Sequence, residues 1–379
     1  MTGNAYVQLT NGPADSHHLY FTNSGWHQDS QRLIFISHRG GAANFYSMDL
    51  RDGSFRQLTA EAAQSDQLIF SAVNPCREEL YFWRGLALWA LDLNDLSERF
   101  LTSAPQGYCT DMLSVTSDGR YVLTAVYEDC RARLKIDLLN GHVGFDELWA
   151  AHPHSIILAI EIATGQMTAV HAERTWIGHV NASPRDPALA TFCHEGPWGK
   201  VDNRIWALDL LNGRSWPIRP CAAGEMVGHE YWLEDGRRIG FHGASADGAG
   251  FIGSIGYDNT GLSRSPFPMV ARHIHSNHSA RVVCDGSETD KGLFVAEVEA
   301  GKPAGLRRLL QHQCSSGIQA RHVHPRFSPD HRHVIFVSDR GGVGNLYSAD
   351  VVSRTFTSAK KNMEARAGWT MGAFHRQRP

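Results

Sequence analysis

A seven-bladed β-propeller, all-β and closed by its own N-terminal strand, is the fold this chain of 379 residues predicts. Three observations carry that expectation. Residues 33–59, LIFISHRGGAANFYSMDLRDGSFRQLT, return near the other end as 334–357, VIFVSDRGGVGNLYSADVVSRTFT. Weaker copies lie at 80–102, 156–170, 204–218 and 293–310, each a set of short β-branched or aromatic runs broken by Asp-Gly, Asn-Gly or Thr-Gly turns. The repeat length is roughly 40–55 residues, the period of a propeller blade, and about seven units fit.

Taken in order, Val7-Gln8-Leu9-Thr10 reads like the outer-strand motif Gln57-Leu58-Thr59, so the first strand is expected to complete the last blade. A blade cannot bury its faces alone; stacking on its neighbours does so, and closure removes the open ends. The rhythm breaks at 140–155, NGHVGFDELWAAHPHS, expected to be a partly helical insertion in the third blade. The basic tail from about 361 has no pattern and is left unassigned. One domain is expected over 1–379.

Composition excludes several classes of function. With 36 basic against 39 acidic residues, neither nucleic acid nor an anionic membrane is expected as main partner. No stretch approaches the roughly 18 apolar residues of a membrane span. The start MTGNAYVQLT lacks the basic and apolar regions of a signal peptide. Seven cysteines without Cys-x-x-Cys spacing are expected to be reduced thiols in a cytoplasmic protein. Oligomeric state is left open. There is no Gly-x-Ser-x-Gly elbow, no phosphate-cradling Gly-rich loop and no glycosidase-like carboxylate pair.

Histidine, with 21 copies, is the outlier. His322 and His324 alternate with Val323, and an extended strand would put both imidazoles on one face. With Gln319 three residues before and His273 about one repeat earlier, the N/O donors suit a borderline divalent metal. The register sharpens this. Just ahead of the inner-strand signatures such as SPDHRHVIF (328–336) and LEDGRRIGF (233–241), or their equivalents, stand His17 with His18, His179, His229, His273 with His275, and His322 with His324. In a propeller that point is one mouth of the central channel. The histidines at 142, 152, 154, 331 and 333 are off-register and are read as ordinary surface residues.

A second constellation runs from His194-Glu195-Gly196-Pro197 to Asp202-Asn203-Arg204. Pro and Gly make it a loop, and loops at a channel mouth carry function. A divalent cation, an arginine and neutral histidines together suit an anionic ligand.

These residues match a family. Thr175-Trp-Ile-Gly-His179, Phe192-Cys-His-Glu-Gly-Pro197, Val201-Asp-Asn-Arg-Ile-Trp206, Gly228-His-Glu-Tyr-Trp232, His273-Ile-His-Ser-Asn277 and Gln319-x-x-His322-x-His324-Pro325 resemble the oligogalacturonate lyases over nearly the whole chain. The resemblance implies a cytoplasmic enzyme cleaving short acidic oligosaccharides by β-elimination, with manganese or another divalent transition metal on His273, Gln319, His322 and His324. It implies His229 as the base and Arg204 as the cation on the substrate carboxylate. His179, His194, His275 and His17 are expected to contact substrate; His275 stands where the family has methionine. Two rivals stay open: a lyase on a different acidic sugar, and a non-catalytic binding propeller with a structural metal.

Overall fold

Alternation along single strands builds the ring. In the strand Arg32–Ser37, Leu33 and Phe35 pack to one side against Ile335, Val337 and Leu346, while Ile34 and Ile36 pack to the other against Leu80, Phe82 and Leu91. Each blade is therefore apolar on both faces, and each pair of neighbours shares one apolar layer. Every such side chain contributes about 1.5–3 kcal/mol on leaving water. The computed structural model describes residues 6–60, 66–278, 280–287, 289–299, 301–351 and 376–377. Among them the strands form seven antiparallel sheets, spanning 16–57, 72–103, 108–173, 177–217, 226–266, 274–311, and 326–350 joined by Tyr6–Gln8. This is the expected propeller.

Closure follows the Gln-Leu-Thr motif. Tyr6, Val7 and Gln8 pair with Ala349, Ser348 and Tyr347. The Thr10 hydroxyl lies 2.9 Å from Asn345 Oδ1 and accepts from the Leu346 N–H, and Gln8 Nε2 donates to the Thr10 carbonyl. In the first blade Thr59, Asn44, Phe45 and Gln57 make the same four-residue arrangement. The two copies of the motif are the same device at two places in the ring. Residues 376–377 add beyond Tyr6–Gln8; the remainder of the unassigned tail lies outside the described residues.

The insertion in the third blade holds the one α-helix among the described residues, Phe145–Ala150. It begins earlier than 140: the ladder stops at Glu128 and resumes at Ser155. Leu134-Lys135-Ile136-Asp137-Leu138 alternates like a strand, yet it forms only the bridge Asp137↔Val143, because its apolar residues pack with Cys130, Leu148 and Trp176 above the blade.

Candidate metal centre and its cavity

Seven inner strands line the channel, and at one mouth three of them carry a bulge at the same height. Register shifts fall between Thr110 and Leu113, between Gly178 and Asn181, and between Val227 and Glu230. A bulge re-aims the side chains within it. Here it turns Asp111, His179 and His229 into a cavity of about 570 Å³. His179 takes φ +50 to do so, a conformation costly for a residue with a Cβ.

His322 and His324 do not lie on a strand. They follow the short 3₁₀ turn Gln319–Arg321, His322 extended and His324 at φ +42. The expected alternation is therefore replaced by a turn and one left-handed residue, which bring the two rings to 5.4 Å. His273, one position before the strand Ile274–His275, completes the group. One ring nitrogen from each of His273, His322 and His324 falls within 4.8 Å of the others. The Gln319 amide lies 3.5 Å from His324 Nε2, and half a turn of that amide presents its oxygen.

The protonation states suit a metal. His273 Nδ1 donates to Asp285 (2.6 Å), which also accepts the His273 N–H, so Nε2 is the ring nitrogen left for a metal. Burial opposes ionisation of Asp285, but His273 outweighs it and the carboxyl stays below its usual range. Burial pushes His322 down to about 3 and His324 well below the imidazole range, so both are neutral donors. His322 Nδ1 is buried without a protein partner. Two neutral imidazoles, a third imidazole backed by a carboxylate, and an amide fit a borderline divalent cation.

His229 stacks on His273 at 4.9 Å. Its Nδ1 donates to the Arg272 carbonyl (2.8 Å), leaving Nε2 as the lone-pair atom. Burial first, then His273, His179 and Arg204, holds its pKa well below the usual value. His179, 5.4 Å away, is biased the other way. Burial opposes its protonation, but the Glu195 carboxylate at 3.2 Å outweighs that and raises the pKa. Glu195 itself is kept ionised against burial by Arg204 and His179. Gly196 beside it has φ +144, and a Cβ there would meet the Trp149 ring at 2.3 Å, so glycine lets the insertion close over this loop.

Several expected contacts fall elsewhere. Arg204 is 1 % exposed and ion-paired with Glu195 (2.9 Å) and Glu230 (3.2 Å), beneath the cavity rather than in it. Its charge is matched by these two carboxylates. The cation lining the cavity is Arg272. His194, expected to contact substrate, bonds Asp202 (2.7 Å) and Glu173 (2.9 Å) and stacks on Trp206 at 4.6 Å. His17 is buried, with Nδ1 against the His18 carbonyl and the ring near His38, outside the cavity. His275 sits deeper along the channel against Tyr231 and lines a different cavity. Conversely His142, read as an ordinary surface residue, lines the main cavity and stacks on His322 at 5.6 Å. Sequence reasoning also missed Arg272 and Asp285. Arg272 precedes His273 directly, and Asp285 follows Cys284, the strand partner of Ile274.

Comparison with known proteins follows the same lines. A family model described as oligogalacturonate lyase matches residues 1–354. An oligogalacturonate lyase of Dickeya dadantii (strain 3937) is 26 % identical over 383 residues, covering 93 % of this chain and 94 % of that protein. An oligogalacturonide lyase of Pectobacterium atrosepticum is 27 % identical over 381 residues, covering 92 % and 94 %. Among solved structures, an oligogalacturonate lyase in complex with manganese superposes with a TM-score of 0.84 at 25 % identity, covering 93 % of this chain and 94 % of that one.

Proposed function

The chain belongs to the oligogalacturonate lyase family, and we propose that it cleaves short oligogalacturonides by β-elimination in the cavity at the bulged mouth of its channel. The observation that carries this is one of opposite bias. His229 and His179 have rings 5.4 Å apart, face the same cavity, and have their pKa values pushed in opposite directions beside the three-histidine cluster. Titratable neighbours driven apart in this way mark a base and an acid.

His229, neutral with Nε2 free, removes the C5 proton of the uronide. The electrons of that C–H bond form the C4–C5 double bond as the C4–O4 bond breaks. His179, whose protonated form Glu195 favours, delivers a proton to the departing O4. Arg272 holds the carboxylate adjoining C5, whose charge grows as the proton leaves. Arg204 is a positioning residue: its ion pair fixes the Glu195 carboxylate against His179. A divalent cation, manganese by the family's precedent, would be held by His273, Gln319, His322 and His324 and would supply positive charge that acidifies the C5 proton. A cytoplasmic location belongs to the same proposal and is supported by seven cysteines that stand unpaired.

The test mixes metal-loaded protein with short oligogalacturonides and follows the ultraviolet absorbance of the unsaturated uronide, or a keto-acid assay if that product rearranges. Turnover is expected, and His322→Ala is expected to lose both metal and turnover while its melting temperature stays near that of the parent. A folded, metal-loaded parent that releases no unsaturated uronide would overturn the assignment and leave a binding propeller.

A further inference from the structure

The other mouth of the channel holds a second cavity, of about 250 Å³, that the reaction does not use. The cluster of Tyr20, Phe21, Ile69 and Met112 separates it from the first: Tyr20 lines the upper cavity, and Phe21 gives its carbonyl to Arg326 in the lower one. Arg326 opens the inner strand of the seventh blade and lines this cavity. Its guanidinium meets the Phe21 carbonyl and forms no ion pair among the described residues. Glu234 at the rim is more than half exposed and turned towards His331 (3.6 Å). The Glu234 carboxylate lines the same cavity and acts on Arg326 from a distance without pairing with it, so the part-buried guanidinium, held by one carbonyl, keeps donors for a closer counter-charge.

The walls narrow the choice of counter-charge. His275 is 3 % exposed and its Nδ1 has no partner. Trp26, Tyr231 and Trp232 supply aromatic surface, with Trp232 fixed by its Nε1 bond to the Asn181 carbonyl (3.0 Å). Asn277 supplies an amide at the rim. Aromatic faces with amide and imidazole edges suit the apolar face and hydroxyl rim of a sugar ring, and a planar guanidinium suits a carboxylate. The volume is below that of a drug-sized pocket, so one ring fits and a chain of rings does not.

We infer that this far mouth is a binding site for a monomeric sugar acid, its carboxylate on Arg326 and its ring against the tryptophan and histidine walls. The inference does not rest on the lyase reading of the first cavity, since none of these residues belongs to it.

The experiment is calorimetric titration of the metal-loaded protein with galacturonate, with glucose as the uncharged control. The parent is expected to bind galacturonate and not glucose. Arg326→Gln is expected to remove one binding event or weaken it by at least roughly tenfold, the loss usual for one charge-assisted hydrogen bond. His275→Phe, which fills the cavity and leaves the guanidinium in place, is expected to do the same, and it decides the matter if Arg326→Gln does not fold. Initial rates of oligogalacturonide cleavage should be unchanged in both, which separates this site from the first. An unaltered galacturonate isotherm in the folded variants, or a parent that binds no galacturonate at all, overturns the inference.

Discussion

The two ends of the channel are built from the same seven inner strands, yet they differ in how charge is balanced. At the bulged mouth three histidines converge with Gln319, and a histidine pair of opposite bias stands beside them. At the far mouth a single arginine and one histidine face each other across aromatic walls with no bulge. His273 and His275 make the contrast within three consecutive residues: two positions apart, the first belongs to the metal cluster and the second to the other cavity. Depth along the channel, and not residue type, decides what a histidine does here. Alternation along a strand can place two side chains in the lumen and still deliver them to different chambers when a plug such as Phe21 lies between.

That contrast can be broken most sharply at His229. His229→Ala should keep the metal and the fold and lose turnover by about 10²–10⁴-fold, the contribution of a positioned base; steady-state rates with metal content measured alongside decide it. A near-parental kcat would show that the stacked ring at 4.9 Å from His273 is not the base.

Next in size is the carboxylate behind the metal cluster. Asp285→Asn should weaken metal binding by about 10–100-fold, because an amide cannot hold His273 with the same charge and tautomer. Titration with manganese, read by its electron paramagnetic signal, measures this without any substrate.

His179 gives a pH signature. Its pKa is raised, so the proton it donates is present at and below the usual imidazole value and is lost as pH rises through the higher one. The kcat profile of the parent should therefore fall on an alkaline limb above about 6.5, the unperturbed value, and His179→Gln should abolish that limb. An alkaline limb unmoved in the variant would assign the acid to another group.

The smallest effect is expected at the far mouth: His275→Met should leave metal content and kcat as in the parent. Loss of metal there would erase the distinction between the two chambers.

Much of this architecture can be read in the chain because it is written twice. The Asn-x-Tyr and Gln-Leu-Thr elements recur, and each copy makes the same local hydrogen bonds, so pattern and structure coincide. The histidine cluster is legible for a related reason: channel register follows blade register. Pairing across blades is what the pattern does not carry. Arg204 meets Glu230 from the next blade, and His194 meets Glu173 from the previous one, so both lose their apparent availability through partners far off in the sequence. His142 fails in the opposite sense: an insertion has no register, and only its packing over the mouth brings the ring to His322.

The closure described above has a consequence for how the protein is made. The strand Tyr6–Gln8 leaves the ribosome early, but its partner Asn345–Asp350 is synthesised more than three hundred residues later, Thr10 and Asn345 lying 335 positions apart. Until then the first strand has no edge to join, and the layer between the seventh and first blades cannot exist. Loop-closure entropy makes such a distant pairing slow, although the cost rises only with the logarithm of length. The earlier blades can stack as an open arc with two unpaired edges, a form in which neighbouring nascent chains could join each other. Completion of the seventh blade is thus a checkpoint: one strand, in place, turns an arc that can polymerise into a ring that cannot.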